Sequence, residues 1–558
     1  MPVRCMEKGG EVEEVAAAAA AAVAEGKLEL SVDDVMDRYM GSLGLSQLLH
    51  VLLVSFAWVF DAQSTLVTIF SDAQPSAWRC KTLDHHHTNA SISSPSWCTD
   101  NTSNGRNAQP NHVCGLAAGT WEWVGGNTTS TIAEWNLICH RKFFAAIPTS
   151  LFFIGTIFGC AFYGRLADAW LGRKKTLLVA CILTSTTTFM TSLSPNVWIY
   201  ALLRFANGFA RSGSGICCLV LSTEAVGRKW RGQVGQYGFF FFTAGFLSLP
   251  FITYPTRAHW RYLYRIISIP PLIYTIFLVT LVSESPRWLL VQGKNKEALD
   301  VLRKLANGKK LPDNIELIIP SSATAITCEE GDKNKSLWTT KWAAKRIVTI
   351  MTCAFGVGFV YYGIQLNAQN LNFNFYVTVI INALMDVPAV LIGGVLLGFT
   401  NRRLLLLMST ISAGVTCLLC IIFSTTSKDK AKVGGDGSKS TSSWPQLTVE
   451  AIGFMSASIA FNVLYVYCVE LFPTNVRNFA VSLLQQSLML GASLSPLLVV
   501  VGRLSPSISF AVFGALSIMS GTLSTWLPET RNAPLYETLK QQEEEEKHRR
   551  FSPASPPL

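Results

Sequence analysis

Long apolar stretches alternate with short polar segments along most of the chain. A bilayer core of about 30 Å needs a helix of about 20 apolar residues. Twelve stretches are long enough: residues 46–70, 145–163, 176–193, 197–220, 234–254, 262–282, 347–366, 375–397, 404–424, 447–469, 479–501 and 508–527. Backbone groups in lipid must find hydrogen-bond partners within their own segment, so these stretches are predicted to be helices and not strands. The pattern predicts an all-α membrane protein with twelve transmembrane helices.

The composition agrees with this prediction and excludes two other classes of protein. Charged residues make up 15% of the 558 residues, against about 25% in soluble proteins, so the charges are too few to coat several separate cores. A disordered chain would need low hydrophobicity and a high density of charge. The net charge of +10 is distributed between the apolar stretches and forms no single patch, which argues against a nucleic-acid partner.

The distribution of basic residues predicts the orientation of the chain. Cytosolic loops of membrane proteins are enriched in Lys and Arg, and with twelve spans the termini and the even-numbered loops share one side. That side carries most of the basic residues, namely Arg165, Arg173, Lys174, Lys175, Arg228, Lys229, Arg231, Arg402, Arg403 and many in 283–346. Exceptions on the other side are Arg257, Arg261 and the lysines of 428–439. The tails 1–45 and 528–558 and the linker 283–346 are therefore predicted to be cytosolic.

The first extracytosolic loop, 71–142, has the features of a segment in an oxidising compartment. It contains three N-x-[ST] glycosylation acceptors, Asn89, Asn101 and Asn127, and four cysteines, Cys80, Cys98, Cys114 and Cys139. Glycans and disulfides both belong to the cell exterior or to a lumen, which supports the orientation. Four cysteines allow three pairings, and the sequence does not choose among them.

The spans divide six and six around the linker, and the halves 46–282 and 347–527 repeat two features. The second span ends in the pattern G-R-L-A-D-A-W-L-G-R-K-K over residues 164–175, and the eighth ends in a degraded counterpart over residues 394–403. Glu224 after the fourth span and Glu470 after the tenth are each followed by an arginine seven residues later. Two repeated six-helix halves are the construction of secondary transporters with a site at the midplane.

These residues also carry a family resemblance. The pattern over 164–174 resembles the second-loop signature of the major facilitator superfamily. The segments Glu284–Leu290 and Glu470–Asn478, together with the Cys-rich first loop, resemble the organic-ion transporter family and most of all its plant organic cation/carnitine branch. The resemblance covers about residues 30–540. It implies a major facilitator fold of two pseudo-symmetric six-helix halves.

The second-loop motif is predicted to act in gating. Asp168 can accept hydrogen bonds from Arg173 or from a helix N-terminus in the other half, and such a contact can differ between two conformations. The alternative is ordinary anchoring by basic residues on the cytosolic side. The gating role is predicted for Gly164, Asp168, Gly172, Arg173, Glu224, Arg231, Glu284, Arg287, Glu470 and Arg477.

Acidic residues inside the spans are candidates for the substrate site. A carboxylate at the centre of a transmembrane helix costs about 2.5–3.5 kcal/mol on insertion scales, so it suggests a function. Asp61 in span one and Asp386 in span eight meet this description. Either can pair with a quaternary ammonium group or bind a coupling proton. The alternative is a structural ion pair with Arg204 or Arg211 of span four.

Aromatic side chains are the second component of the predicted site. Tyr361, Tyr362 and Phe242 present ring faces inside the spans, and a ring face attracts a desolvated cation by roughly 0.5–2 kcal/mol. The resemblance implies that Phe242, Tyr361 and Asp386 line the substrate cavity.

The chain departs from the animal relatives at two cavity positions. The span-eleven position that carries a charge in the animal organic-ion transporters is Met489 here, and a cavity Trp of span four is Gly215. Charge selectivity therefore cannot be inferred from the span-eleven position. Asp61, which is absent from the animal pattern, is our candidate for the missing anion.

The function predicted from these features is secondary transport of small organic cations or zwitterions such as carnitine, choline or polyamine-like compounds. A sugar or organic-anion transporter is the alternative, because Gln365, Asn367 and Asn382 could bind a polar neutral substrate. No phosphate-binding loop, metal-ligand cluster or nucleophile motif is present, which disfavours ATP drive and an enzyme. We expect no cofactor and no metal, a coupling proton or sodium ion, a monomer in the lipid bilayer, and the plasma membrane with the vacuolar membrane as alternative.

Overall fold

The computed structural model of the protein describes residues 28–80 without 42 and 76, 113–114, 121–306 without 170, 228 and 229, 311–312, 315–318, 338, 340–433 without 372, 444–531 and 542–543. Twelve long helices make up most of these residues. They are α1 (Leu45–Ser71), α2 (Ile147–Ala169), α3 (Arg173–Thr191), α4 (Val197–Glu224), α5 (Arg231–Thr256), α6 (Trp260–Leu281), α7 (Lys341–Leu366), α8 (Phe375–Phe399), α9 (Arg402–Val433), α10 (Trp444–Leu471), α11 (Thr474–Gly502) and α12 (Pro506–Ser524). Asn89, Asn101 and Cys98 lie outside the described residues.

Each predicted span overlaps one of these helices, and the prediction of an all-α membrane fold with twelve long helices is confirmed. Ten of the twelve are long and apolar enough to cross a membrane by composition. The other two, α3 and α4, carry Thr-rich or Arg-containing segments that lower their mean hydropathy. Several helices extend past the predicted ends, as α7 and α11 do at Lys341 and Thr474, because a helix continues into polar residues that hydropathy does not register.

Close helix contacts are equivalent in the two halves. A Cβ atom added at Gly245 of α5 would lie 2.4 Å from the carbonyl oxygen of Val59 in α1. A Cβ added at Gly491 of α11 would lie 2.0 Å from the carbonyl oxygen of Phe355 in α7. Small residues allow backbones to approach where no hydrophobic effect drives association. The α1–α5 and α7–α11 pairs therefore form the same tight joint, one in each half.

A small unit on the side predicted to be cytosolic joins the N-terminal segment to the linker. Strand β1 (Leu28–Leu30) pairs in parallel with β4 (Ile315–Leu317). Together with the helices Val32–Val35, Pro286–Val291 and Asn295–Leu305, these strands bury a common apolar cluster. Residues 28–40, which the sequence placed in a cytosolic tail, are thus folded against the N-terminal half.

The described part of the first loop lies against the N-terminal half. Strands β2 (Trp78–Cys80) and β3 (Trp121–Trp123) pair antiparallel. Cys114 and Cys139 form a disulfide with a Cα–Cα distance of 5.6 Å. Glu134 of this loop accepts a hydrogen bond from Arg261 at 2.6 Å. Arg261, an exception to the cytosolic bias of basic residues, is therefore balanced by an acid of the extracytosolic loop.

The two halves make contact on the side predicted to be extracytosolic. Phe70 of α1 packs against Phe375 and Tyr376 of α8, with ring centroids 5.1 and 5.6 Å apart. Gln74 donates its backbone N–H to the Gln369 side chain at 3.1 Å. At the cytosolic ends of α2 and α8, by contrast, a Cβ added at Gly164, Gly394 or Gly398 would meet no atom within 4 Å. The contacts between the halves named here therefore lie at the end predicted to be extracytosolic, and the three glycines near the opposite end have open space beside them.

Arg503 at the end of α11 contributes to the outer closure by donating to the backbone oxygen of Asp72 at 3.1 Å. The Asp72 carboxylate accepts hydrogen bonds from Thr131 at 2.8 Å and Tyr200 at 2.9 Å. Burial raises the pKa of Asp72, and these hydrogen bonds oppose the shift. Burial lowers the pKa of Arg503 to about 10, against the opposing effect of Asp72, so the guanidinium stays charged at neutral pH.

We predict that Asn127 carries a glycan in a eukaryotic host, because it is exposed on the side predicted to be extracytosolic. The Thr129→Ala variant destroys this acceptor and Thr129→Ser preserves it. On a gel the Ala variant should run one glycan smaller than the wild type and the Ser variant should not, and glycosidase should abolish the difference. Identical mobility of all three proteins before and after glycosidase would contradict glycosylation at this residue.

Candidate functional site

The predicted substrate-site residues lie in the interior of the helical bundle. Asp61 comes from α1, Phe242 from α5, Tyr361 and Tyr362 from α7, Asp386 from α8 and Met489 from α11, and each is at most 8% exposed. Both halves contribute, as expected for a site at their interface. The contacts of each side chain differ, and these contacts decide which of them is free to bind a ligand.

Asp61 forms a buried ion pair with Arg211 of α4. The Arg211 Nε and the Asp61 Oδ1 are 2.8 Å apart, and the two side chains are 6% and 1% exposed. The N–H does not point at the oxygen, so the contact is an ion pair without hydrogen-bond geometry. Arg211 also donates to the hydroxyl of Thr65. The structural alternative for Asp61, an ion pair with α4, therefore describes this conformation.

Asp386 has a different environment, because its partners are hydroxyl groups. Thr243 of α5 donates to Oδ2 at 2.7 Å, and Ser458 of α10 donates to Oδ1 at 2.5 Å. The Thr243 contact joins the two halves. Within the described part of the chain, no Lys or Arg nitrogen lies within 4 Å of this carboxylate. Asp386 therefore lies at the interface of the halves with its charge unmatched by a basic side chain.

The aromatic rings of the predicted site are already in contact with other rings. Tyr361 stacks on Phe454 and on Phe461, with centroids 5.6 and 4.7 Å away. These two residues are two turns apart on α10, so the Tyr361 ring lies between them. Tyr362 packs against Phe153 of the other half at 4.9 Å. Both faces of the Tyr361 ring are therefore covered in this conformation, and the role of Tyr361 in binding a cation stays a prediction.

The α4 position that carries a Trp in the animal relatives is Gly215 here, and the indole of Trp58 from α1 lies near it. A Cβ added at Gly215 would lie 3.8 Å from the Trp58 ring, and one added at Gly238 of α5 would lie 3.0 Å from the Trp58 Nε1. Trp58 also contacts Phe242 edge to face with centroids 6.4 Å apart. Sequence reasoning missed Trp58 because it compared α4 positions only. Met489 is 1% exposed within the apolar cluster and adds no charge.

Sequence reasoning also missed a third acidic residue within the spans. Glu450 of α10 is 3% exposed and accepts a hydrogen bond from the side-chain amide of Asn382 in α8 at 2.9 Å. It lies inside the predicted span 447–469, three residues from its start, so the signal was present. The statement that Asp61 and Asp386 are the intramembrane acids is therefore corrected to include Glu450.

Arg173 of the second-loop motif lies at the centre of a network in the N-terminal half. Its guanidinium contacts Asp168 at 3.0 Å and Glu224 at 3.6 Å. Glu284 accepts from the backbone N–H groups of Arg173 and Lys174 at 3.0 and 3.1 Å, which caps the N-terminus of α3. Gly172 has φ +82°, a conformation that favours glycine, and its added Cβ would lie 2.6 Å from Glu284.

The C-terminal half repeats this network. Arg402 contacts Glu470 at 2.9 Å, as Arg173 contacts Glu224. Glu529 accepts from the backbone N–H groups of Arg402 and Arg403 at 3.0 and 3.2 Å and caps α9, as Glu284 caps α3. Each half is thus held at its cytosolic end by the same two contacts, an Arg–Glu pair and a carboxylate cap.

The seven-residue Glu–Arg spacings do not mark contacting pairs. Arg231 and Arg287 both contact Asp33 of the N-terminal segment. Arg477 donates to the backbone oxygen of Phe472 at 3.4 Å. Each acid and arginine of the motif therefore has a partner elsewhere in the chain, and their gating role stays a prediction.

The comparison with solved structures shows the fold of the chain. The inward-open xylose transporter XylE from E. coli superposes with a TM-score of 0.58 at 16% identity, covering 89% of this chain and 99% of that chain. At this identity the likeness concerns the fold alone, which is that of a major facilitator transporter.

Sequence comparison places the chain in a family. The model of the sugar (and other) transporter family matches residues 93–540. Organic cation/carnitine transporter 2 of Arabidopsis thaliana is 40% identical over 92% of this chain and 94% of its own length. Organic cation/carnitine transporter 3 of the same plant is 38% identical over 92% and 93%. The chain belongs to the sugar (and other) transporter family of major facilitator proteins, in its organic cation/carnitine transporter branch. It is a multi-pass membrane transporter and not an enzyme.

The gating role of the second-loop motif generates a prediction. The Asp168 side chain is 75% exposed and contacts only Arg173 of its own half among the ion pairs of the described chain, so it is accessible to a partner from the other half in a different conformation. We expect Asp168→Asn to lower the maximal transport rate by about tenfold while KM changes less than about twofold, since one charge-assisted hydrogen bond contributes about 1.5–3 kcal/mol.

The control for this prediction is Asp300→Asn, which changes an acid of similar exposure on the cytosolic linker. Initial rates over a range of substrate concentrations, corrected for the amount of protein at the membrane, separate the two kinetic parameters. A defect confined to KM would contradict the gating role, and so would an equal loss of rate in the Asp300 variant.

Proposed function

We propose that the protein is a secondary active transporter that moves small organic cations or zwitterions, of the carnitine, choline or polyamine type, across a membrane by alternating access. The observation that carries the proposal is the environment of Asp386. It is a buried carboxylate at the interface of the halves, held by hydroxyl groups and matched by no basic side chain of the described chain. The names of the relatives in Arabidopsis point to the same class of substrate.

A cationic substrate compensates the charge of Asp386. An isolated charge in a low-dielectric environment is strongly penalised, so a substrate ammonium group and this carboxylate stabilise each other. The hydroxyls of Thr243 and Ser458 are neutral and can exchange one acceptor for another at little cost. Asp61 is less suited to this role, because Arg211 already neutralises it in this conformation.

Alternating access requires that the outer contacts between the halves break while the cytosolic ends approach. Both the Arg503–Asp72 and the Gln74–Gln369 contacts join the halves on the extracytosolic side. Thr243, which bonds Asp386, belongs to the N-terminal half, so replacement of this bond by a substrate changes a contact between the halves. Substrate binding thereby acts on the same equilibrium as the outer closure.

The alternative of a sugar or organic-anion transporter relied on three amides. Asn382 binds Glu450. Asn367 accepts from Asn370 at 2.7 Å near the outer end of α7, away from Asp386. The Asn382 Oδ1, the Asn367 Nδ2 and both polar atoms of Gln365 lack a hydrogen-bond partner in the described chain. The amides therefore do not choose between the two classes of substrate, and the cation proposal rests on Asp386. The proposal includes coupling to a proton or a sodium ion. It also includes transport by a monomer without a cofactor. We propose residence in the plasma membrane, with the vacuolar membrane as alternative.

The first test uses Asp386. Asp386→Asn preserves size and hydrogen bonding but removes the charge, and we expect uptake of a labelled cationic substrate to fall by about tenfold or more, in proportion to a charge-assisted contact of about 1.5–3 kcal/mol. Asp386→Glu should retain most of the uptake. The measurement is initial uptake of labelled carnitine, choline and a polyamine in yeast or oocytes at matched surface expression.

Asp61→Asn serves as the comparison variant, because it should act on folding. Removal of one partner leaves Arg211 buried without its counter-charge, at a cost of about 3–5 kcal/mol, so the amount of folded protein should fall. Addition of Arg211→Gln should restore the amount of folded protein.

Normal cation uptake by Asp386→Asn would contradict the proposed substrate site at Asp386.

The second test uses the uncharged position of α11. Met489→Arg places a positive charge in the buried interior of the bundle, and we expect it to depress uptake of a cation more than uptake of a zwitterion, because like charges repel. Met489→Leu, which keeps an apolar side chain of similar size, controls for packing. An equal loss for both substrates in the Arg variant would mean that the change acts through packing or folding alone.

A further inference from the structure

Glu450 is a buried acid, and the proposed substrate site at Asp386 does not use it. It lies six residues into α10, about 9 Å along the helix from its extracytosolic end, and Asn382 lies at a similar depth in α8. The Asn382 amide donates to Glu450 Oε1 at 2.9 Å. The second carboxylate oxygen, Oε2, is buried without a hydrogen-bond partner in the described chain, and so is the Asn382 Oδ1.

The surroundings of Glu450 supply no positive charge. The titratable groups on the adjoining helices are Asp386, one turn from Asn382 on α8, Tyr361 on α7, which stacks on Phe454 one turn after Glu450, and the thiols of Cys417 and Cys420 on α9. The two arginines of α11, Arg477 and Arg503, lie at the ends of that helix, where they donate to Phe472 and Asp72. Among the described residues, no Lys or Arg forms an ion pair with Glu450, and the titratable groups named on α7, α8 and α9 are neutral or acidic.

A single proton resolves both unpaired atoms. An ionised carboxylate and an amide oxygen are acceptors only, so two acceptors on contacting groups cannot satisfy each other. A proton on Oε2 converts this oxygen into a donor, while Asn382 continues to donate to Oε1. The acid and the amide then complement each other, and the buried site loses its net charge, as a low-dielectric environment requires. Proton binding forms one O–H bond and breaks no other bond except that to the donor water.

We propose that Glu450, with Asn382 as its partner, is the binding site of the coupling proton, separate from the substrate carboxylate Asp386. This inference rests on the proposed transport function. Two contacts join α8 to α10, Asn382 to Glu450 and, one turn further along α8, Asp386 to Ser458. A substrate that draws Asp386 away from Ser458 acts on the helix that also carries the partner of the proton site. The two ligands are thereby coupled through α8.

A sodium ion fits the same position less well. Hard cations in proteins take about six or more oxygen ligands. The contacts described here leave one carboxylate oxygen and one amide oxygen without partners, and the Gln446 amide, one turn away on α10, is the other buried polar group on this face without a hydrogen bond in the described chain. Three oxygens are too few for an octahedral shell, whereas one proton needs two.

The test compares coupled and uncoupled transport in proteoliposomes that contain the full chain. Glu450→Gln imitates the protonated acid, because its amide can both donate and accept at the same place. We expect exchange of labelled against unlabelled cation to stay within about twofold of the wild type. Accumulation driven by an acidic exterior should fall to the level reached without a gradient, and the pH dependence of exchange between about pH 5 and 8 should flatten. Gln446→Asn is the matched control and should keep both activities.

The outcomes separate this inference from the proposed function. Wild-type protein without any exchange overturns cation transport and the proton site with it. Three outcomes overturn the proton site and leave cation transport standing. Two concern the wild type, namely exchange without a response to a pH gradient and exchange that responds to a sodium gradient alone. The third is accumulation driven by the pH gradient in the Glu450→Gln variant. If Glu450→Gln loses both exchange and accumulation while its thermal stability is normal, Glu450 belongs to the substrate site and the inference is overturned.

A spectroscopic readout does not depend on transport. An infrared difference spectrum between wild type and Glu450→Gln should contain the C=O band of a protonated carboxylic acid, shifted in D2O. A difference spectrum with carboxylate bands alone, at a pH where the wild type is folded, would show that Glu450 is ionised and overturn the site.

Discussion

Every polar group inside the bilayer must be satisfied by the protein, and this constraint accounts for the arrangement of the interior. The three intramembrane acids meet it in different ways. Arg211 balances the charge of Asp61, and two hydroxyl groups donate hydrogen bonds to Asp386. Glu450 accepts one hydrogen bond from the Asn382 amide, and its second carboxylate oxygen has no partner in the described chain. The first solution balances the charge without a ligand, but it leaves both Asp61 oxygens without a hydrogen bond in the described chain. Asp386 and Glu450 have no basic partner among the described residues. Binding of a cation or a proton at such a carboxylate lowers the free energy of burying it.

Each half is built as a rigid body by contacts that the other half repeats. The Arg173–Glu224 and Arg402–Glu470 pairs hold corresponding helix ends, and carboxylates after α6 and α12 cap α3 and α9. The N-terminal half has an additional tie, since Asp33 contacts both Arg231 and Arg287. These contacts lie within the halves, so they can persist while the halves move relative to each other.

The sequence predicted what is encoded locally and failed where a partner is distant. The spans follow from runs of apolar residues, and the duplicated halves follow from repeated motifs, so the fold could be predicted. The partner of Arg231 is 198 residues away in the chain, which no spacing rule reveals. The packing of Phe454 and Phe461 on the Tyr361 ring could not be predicted from the sequence, because it depends on how α7 meets α10. Glu450 was visible in the sequence but lay close to a span boundary.

The strengths of the contacts within and between the halves differ in the way that alternating access needs. Inside each half, backbones touch at Gly245 and Gly491, where even one added carbon would clash. Between the halves, the outer contacts include two hydrogen bonds, the packing of Phe70 on α8 and the contact of Tyr254 with Tyr376. Each such contact contributes about 0.5–1.5 kcal/mol. A ligand with different affinities for two conformations can shift the equilibrium between them. In the proposed function, a cation at Asp386 replaces the Thr243 contact between the halves and thereby changes which side of the protein is open.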